Sequence, residues 1–121
     1  PDVARKIPKS EYIREGCNSK SILSPFGWGE ICGRDFEAVV YGAAMIKHSM
    51  EHCVTYPDIY RPWETYVPLK WDFSDFKDVV GAAASERYRE IAANAQKQYM
   101  KCFTAEGRKA FAEHVVGELN R

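Results

Sequence analysis

Two charged residues, Arg34 and Glu37, are spaced so that they could act on one ligand. They are three positions apart, and a helix would therefore present them on one face. The Arg34 guanidinium could pair with a diphosphate through charge-assisted hydrogen bonds. Glu37 could accept hydrogen bonds from ribose hydroxyls. The alternative is a surface ion pair, which contributes little to stability.

Lys47 is a third candidate because it follows an apolar run of strand length, residues 43–46. In an open α/β sheet, residues just past the carboxyl end of a strand line the crevice in which ligands bind. We therefore predict that Lys47 ends a strand and lines such a crevice.

A glycine-rich loop containing Gly27, Trp28, Gly29 and Gly33 precedes the helix that would carry Arg34. The backbone N–H groups of such a loop, together with the helix N-terminus, favour a phosphate. The spacing matches neither the dinucleotide-binding fingerprint nor the Walker A pattern, so a tight strand-to-helix turn is the alternative. Trp28 could stack on a base or a sugar ring, and the alternative for a tryptophan is ordinary burial in the core. Because Trp28 lies between two glycines of the loop, we expect it outside the core.

Metal binding has a weaker basis in the sequence. His48, His52 and Cys53 could be read as ligands, since His-x-x-x-His is a recurring pair. However, no glutamate follows His48, as the zinc-protease pattern requires, and there is no cysteine pair. We therefore predict no metal site, and we expect the four cysteines to be free thiols in a reducing compartment.

The elements that must position these residues can be read from the order of apolar runs. Residues 21–23 predict a strand, followed by the glycine loop and by a helix with Phe36, Val39 and Val40 on its inner face. Gly42 stops that helix, and a second strand follows. Strand, loop, helix and strand in this order form a βαβ unit.

The flanking segments complete an α/β chain with a parallel sheet of three or four strands. Pro68 in the predicted strand 64–71 favours an edge position or a bulge. The other predicted features are a first helix capped by Ser10 with Tyr12 and Ile13 inward, an irregular segment 48–62, a short helix capped by Asp72 or Ser74 with Phe76, Val79 and Val80 inward, a helix capped by Ser85, and a final helix after Thr104.

The totals set limits on size and partners. The chain has 121 residues, with 17 basic and 17 acidic side chains, enough for a single domain or a fragment of one. Zero net charge gives no basic surface for nucleic acid. No apolar run approaches the length of a membrane span, and no signal peptide is visible, so we expect a cytoplasmic protein.

Several of these runs resemble a known family. The chain is similar, over roughly residues 8–103, to the carboxyl-terminal part of the bacterial-type "glycosyl transferases group 1" enzymes, including the spore-maturation-type relatives. The matching positions are 10–12, 24–30, 34–38, Gly42, 46–47, Met50, His52, 55–58, 64–68 and 71–72. The resemblance implies the GT-B fold, in which two Rossmann-like domains face each other. This chain would be the carboxyl-terminal half, a three-layer domain with a small, mostly parallel sheet flanked by helices and a helical C-terminal tail.

The resemblance also implies roles for individual residues. Glu37 matches the second glutamate of an E-x7-E pattern and would contact the ribose of a nucleotide-sugar donor. The first glutamate of that pattern falls at Gly29, and the adjacent Glu30 would substitute for it. Arg34 and Lys47 would neutralise the donor diphosphate. Such enzymes need no obligatory metal and no cofactor beyond the donor, and they transfer its sugar to an acceptor glycan or small molecule bound mainly by the N-terminal domain.

A second interpretation is a non-catalytic α/β module that binds a nucleotide or a protein partner. An open edge of the sheet could pair with a second copy or with a missing N-terminal domain. Binding of a nucleoside diphosphate that depends on Arg34 would separate the two interpretations.

Overall fold

The computed structural model describes residues 6–121 and contains a three-stranded, wholly parallel sheet with the strand order β1-β2-β3. Five helices accompany the sheet within these residues. The elements are α1 (Lys9–Cys17), β1 (Ser21–Leu23), α2 (Gly33–Tyr41), β2 (Ala44–His48), β3 (Val67–Leu69), α3 (Phe76–Gly81), α4 (Glu86–Lys101) and α5 (Ala105–Leu119). The predicted α/β class is confirmed, and the arrangement is compatible with a Rossmann-like fold.

The predicted βαβ unit is present in β1, α2 and β2. β1 pairs with β2 in parallel, with Ser21 opposite Ala44 and Leu23 opposite Ile46. Gly42 follows α2 in the left-handed conformation, with φ of 72°. This conformation favours glycine, because a Cβ atom is strained by close contact with the backbone there. The short turn after α2 returns the chain directly to the sheet.

β2 is the central strand, and all five of its residues are buried. Ala44 and Ile46 point to one face, where they pack with Tyr88 and Ile91 of α4. Met45 points to the other face, where it packs in a cluster that includes Ala38 of α2. Because helices cover both faces of β2, its side chains do not alternate between apolar and polar.

Several expected inward side chains are exposed. The α1 helix begins at Lys9, with no side-chain cap from Ser10, and it buries none of its residues. Tyr12 and Ile13 therefore remain 39% and 38% exposed, and those two predictions are wrong. Val40 is 63% exposed, because α2 turns Asp35, Ala38 and Val39 inward instead.

The third strand is shorter than predicted. β3 covers only residues 67–69, and Pro68 lies on this edge strand as expected. The short helix α3 is present as predicted, but only Val79 is buried, so the predictions that Phe76 and Val80 face inward are wrong. Neither Asp72 nor Ser74 caps this helix, whose N-cap residue is Asp75.

The two C-terminal helices begin where the sequence predicts. The Ser85 side chain accepts a hydrogen bond from the Tyr88 N–H at the start of α4, and Thr104 accepts one from Gly107 at the start of α5. α5 has no buried residue. Two of its rings, His114 and Phe111, stack on Tyr56, with centroids 3.9 and 6.2 Å away. Among residues 6–121, no helix combines the length and the apolar character needed to cross a membrane.

Candidate functional site

The carboxyl ends of all three parallel strands point to one edge of the sheet. β1 leads into the loop 24–32, β2 into the irregular segment 49–62, and β3 into the segment 70–75. We call the surface formed by these three segments the carboxyl edge. Ligands in open α/β sheets bind in this position, outside the carboxyl ends of the strands.

A buried carboxylate, Asp35 in the first turn of α2, connects the segments that form the carboxyl edge. Its Oδ1 atom accepts hydrogen bonds from the Ser24 hydroxyl at 2.6 Å and from Lys47 Nζ at 3.0 Å. Its Oδ2 atom accepts from the Tyr60 hydroxyl at 2.8 Å and from the Cys32 N–H at 3.2 Å. One carboxylate therefore joins the end of β1, the start of α2, strand β2 and the irregular segment.

Lys47 belongs to this buried group and does not end the strand as predicted, because β2 continues to His48. It lies inside β2, has 0% exposure, and forms an ion pair with Asp35. Its ammonium also donates to the Ser24 carbonyl at 3.4 Å and lies 4.9 Å from the centre of the Phe26 ring. The prediction that Lys47 lines an open crevice is wrong, because Asp35 draws the ammonium inward. Its role is to position the loop 24–32.

Tyr60 depends on the same carboxylate. Burial raises the pKa of its hydroxyl, and the hydrogen bond to Asp35 raises that pKa further. A neutral hydroxyl that donates to a buried carboxylate stabilises the carboxylate without adding a charge. Tyr60 thus ties the irregular segment to the start of α2.

Arg34 and Glu37 meet at a different place, the contact between α1 and α2. The Tyr12 hydroxyl donates to Glu37 Oε2 at 2.6 Å. This bond raises the pKa of Tyr12, and the neighbouring Arg34 partly opposes that effect. Arg34 is exposed and lines a cleft of about 220 Å³ with Tyr12, Ile22 and Leu23, the last residue of β1. The structure therefore brings Arg34 and Glu37 together and separates both from Lys47.

The glycine loop carries a fully exposed tryptophan at its tip. Trp28 has a relative exposure of 111%. A Cβ atom added to Gly27, Gly29 or Gly33 would meet nothing within 4 Å, and none of these glycines has positive φ. Neither steric crowding nor backbone conformation requires glycine at these three positions. The prediction that Trp28 lies outside the core is confirmed.

Aromatic rings from the loop 24–32, from the last residue of β2 and from the segment 70–75 cover the carboxyl edge. His48 stacks on Trp71 with centroids 5.2 Å apart, and Phe26 meets Trp71 edge-on at 4.9 Å. Phe73, at positive φ of 58°, contacts His48 edge-on at 4.7 Å. Within the described part of the chain, His48 Nδ1 is buried and has no hydrogen-bond partner. We call Phe26, His48, Trp71 and Phe73 the aromatic layer.

Glu30, His52 and Cys53 lie together at the outer side of the aromatic layer. The Glu30 Oε1 and His52 Nε2 atoms are 3.8 Å apart. With the Cys53 thiol, the three potential ligand atoms lie within 4.8 Å of one another. Of the residues considered from sequence, His52 and Cys53 are therefore together, whereas His48 is not part of this group. The four cysteines are free thiols, as predicted.

Sequence reasoning missed Asp35, the most highly connected polar residue of this region. A signal was present, since Asp35, Ala38 and Val39 have the i, i+3, i+4 spacing of one helix face. A carboxylate on an apolar face needs a buried partner, and Lys47 within an apolar run is the matching cation. Glu30 was expected to shape the loop, but its proximity to His52 and Cys53 could not be seen because 22 residues separate it from His52.

Comparisons with protein-family models and with curated proteins gave no match for this chain. The geometry of the carboxyl edge and of the α1–α2 cleft is therefore the basis for a functional proposal.

Proposed function

We propose that this chain is the donor-binding part of a GT-B-type glycosyltransferase and binds the nucleoside diphosphate of a nucleotide sugar. The observation that carries the proposal is the βαβ unit, in which an exposed arginine in the first turn of α2 stands beside the carboxyl end of β1. In parallel α/β sheets this is where phosphate groups bind, because helix N–H groups and the helix dipole favour an anion.

Arg34 is the residue best placed to contact the diphosphate. Its side chain is exposed, whereas the other basic candidate, Lys47, is fully buried and paired. When the bond between sugar and diphosphate breaks, negative charge grows on the departing diphosphate oxygens. A preorganised guanidinium stabilises that charge more in the transition state than in the ground state.

Two of the other predicted residues would contact the remaining parts of the donor. Trp28 offers a fully exposed indole to a base or sugar ring. Glu37 already accepts a hydrogen bond from Tyr12 through Oε2, and its other oxygen would accept from ribose hydroxyls. An N-terminal domain joined to this one would bind the acceptor, a glycan or small molecule, and would supply the catalytic base.

Calorimetric titration of the purified chain with UDP, GDP, ADP and CDP tests the proposal. We expect one of them to bind and Arg34→Ala to weaken its binding about 10- to 100-fold, since a hydrogen bond to a charged group contributes roughly 1.5–3 kcal/mol. Arg89→Ala is the matched control, because Arg89 is equally a helical arginine, 76% exposed, but lies on α4.

Equal affinity of Arg34→Ala and wild type would refute the assignment of Arg34. Absence of binding by all four nucleotides would refute the donor-domain proposal and favour the non-catalytic module.

A further inference from the structure

The group formed by Glu30, His52 and Cys53 has the chemistry of a metal site. It combines a carboxylate, an imidazole and a thiol, which are the three ligand types that Zn²⁺ takes from proteins. Without a metal, Glu30 and His52 would form an exposed pair, with side chains 51% and 45% accessible. Such a pair contributes little to stability, so the ion pair alone does not explain why a thiol joins it.

The distances are close to those of tetrahedral zinc. With bonds of about 2.0–2.1 Å to nitrogen or oxygen and about 2.3 Å to sulfur, neighbouring ligand atoms lie about 3.4–3.6 Å apart. The observed separation of Glu30 Oε1 and His52 Nε2 is 3.8 Å, and no pair in the group exceeds 4.8 Å. Small side-chain rotations would therefore bring all three atoms to bonding distance of one ion.

Two of the ligands are held in place by the core. The Cys53 N–H donates to the Met50 carbonyl at 2.9 Å, and the Met50 N–H donates to the buried Tyr66 hydroxyl at 2.9 Å. The His52 ring packs against Phe26 and Trp71, with centroids 6.0 and 5.7 Å away. This packing restricts the imidazole before any metal binds, which lowers the entropy that binding must overcome.

We propose that Glu30, His52 and Cys53 bind a Zn²⁺ ion at the carboxyl edge. Three protein ligands leave the fourth position for water or another oxygen ligand, the pattern of zinc sites that are not purely structural. The proposal replaces the sequence-based expectation of no metal site, since Glu30 is distant in sequence and was not among the ligands considered. It does not depend on the proposed function, because neither Arg34 nor a nucleotide enters it.

Cobalt titration of the purified, reduced and metal-free chain tests the site directly. Co²⁺ replaces Zn²⁺ in tetrahedral sites, and a thiolate ligand gives a charge-transfer absorption that distinguishes sulfur coordination. We expect one equivalent of Co²⁺ to produce this absorption together with tetrahedral d–d bands, and Zn²⁺ to abolish both by displacement.

Three variants and a control assign the ligands. Cys53→Ser should remove the charge-transfer band. His52→Ala and Glu30→Ala should each weaken metal binding by more than the roughly 10- to 100-fold loss that is typical of residues which only hydrogen-bond to a metal ligand. Cys102→Ser is the control, since Cys102 is also a partly exposed free cysteine but lies at the end of α4.

The proposal is overturned if wild type shows no charge-transfer band, or if Cys102→Ser removes as much of it as Cys53→Ser does. Unchanged affinity in Glu30→Ala would likewise refute the three-ligand site. Because the Glu30 side chain is half exposed, Glu30→Ala should keep the wild-type urea midpoint, which separates loss of metal from loss of fold.

Discussion

Replacing Asp35 by asparagine tests whether this carboxylate holds the carboxyl edge together. Its Oδ1 atom faces Lys47 Nζ and the Ser24 hydroxyl, while Oδ2 faces the Cys32 N–H and the Tyr60 hydroxyl. An amide must place its NH₂ group against one of these pairs of donors. Neither Lys47 nor the Cys32 N–H can become an acceptor, so each orientation of the amide leaves donors unpaired in the core.

The structure also predicts which partner of the ion pair matters more. Removing one member of a buried ion pair costs about 3–5 kcal/mol. In Lys47→Met, Asp35 keeps three donors, from Ser24, Tyr60 and Cys32, so the cost should be near the lower end. In Asp35→Asn, the Lys47 ammonium loses its anionic partner. It keeps only a long hydrogen bond to the Ser24 carbonyl and its contact with the Phe26 ring, so the loss of stability should be about 5 kcal/mol.

Thermal unfolding followed by circular dichroism measures both losses. For 121 residues, an unfolding entropy of roughly 2.1 cal/mol/K per residue converts 3–5 kcal/mol into a fall in Tm of about 12–20 °C. The double variant Asp35→Asn/Lys47→Met should lose about 0.5–3 kcal/mol less stability than the sum of the losses in the two single variants. Tyr60→Phe, expected to lose about 1.5–3 kcal/mol, serves if Asp35→Asn does not fold.

Arg89→Ala is the control for the loss of an ion pair, because Arg89 and Glu86 form a 3.0 Å pair in which both side chains are more than three-quarters exposed. Its Tm should stay close to that of wild type. The reasoning fails if Asp35→Asn loses no more stability than Arg89→Ala. It also fails if Lys47→Met is the less stable of the two single variants at the pair.

Three further predictions concern the pH dependence conferred by Tyr60, the two glycines Gly42 and Gly27, and the exposed Trp28. Burial and Asp35 raise the folded-state pKa of Tyr60; its contribution to stability is therefore complete below the unfolded pKa of about 10 and is lost as pH rises above it. As pH rises through about 9 to 11, around that unfolded-state pKa, the urea midpoint of wild type should fall more steeply than that of Tyr60→Phe. Equal slopes in the two proteins would contradict this. Gly42→Ala should lose about 1–2 kcal/mol of folding stability, because φ is 72° there. Gly27→Ala, with open space around its Cβ, should be neutral or stabilised by up to about 1 kcal/mol. Similar urea midpoints for the two variants would refute this account of the glycines. Trp28→Phe should leave stability within about 0.5 kcal/mol of wild type and should remove the most iodide-accessible tryptophan fluorescence, and unchanged quenching would show that Trp28 is covered in solution.

The elements that could be predicted from the sequence are those set by local signals. Gly42 and the apolar run after it determine where α2 ends and β2 begins, and Ser85 and Thr104 cap the last two helices as predicted. These features depend on backbone conformation and on hydrogen bonds within one turn. They are therefore visible in a few consecutive residues.

The buried polar group could not be predicted in the same way. Arg34, Asp35 and Glu37 are adjacent charged residues in one helical turn, and local sequence does not say which of them faces the core. The choice depends on Lys47 and Tyr60, which arrive from other segments. The same limit applies to α1, because nothing in the local sequence says which element Tyr12 and Ile13 would pack against, and both remain partly exposed.

The two ends of the loop 24–32 differ from its middle in a way that bears on ligand binding. Ser24 and Cys32 are both tied to Asp35, and the Ser24 N–H also donates to the Ile46 carbonyl at 2.8 Å. Arg34, two residues after Cys32, is therefore placed by an ordered backbone, and a phosphate bound there needs little further ordering. Trp28 lies at the exposed tip between two glycines, where fixing each residue costs roughly 1–2 kcal/mol of backbone entropy. Under the proposed function, a nucleoside diphosphate would consequently obtain most of its affinity from the side of Arg34, and ring contacts with Trp28 would add less than their buried area suggests.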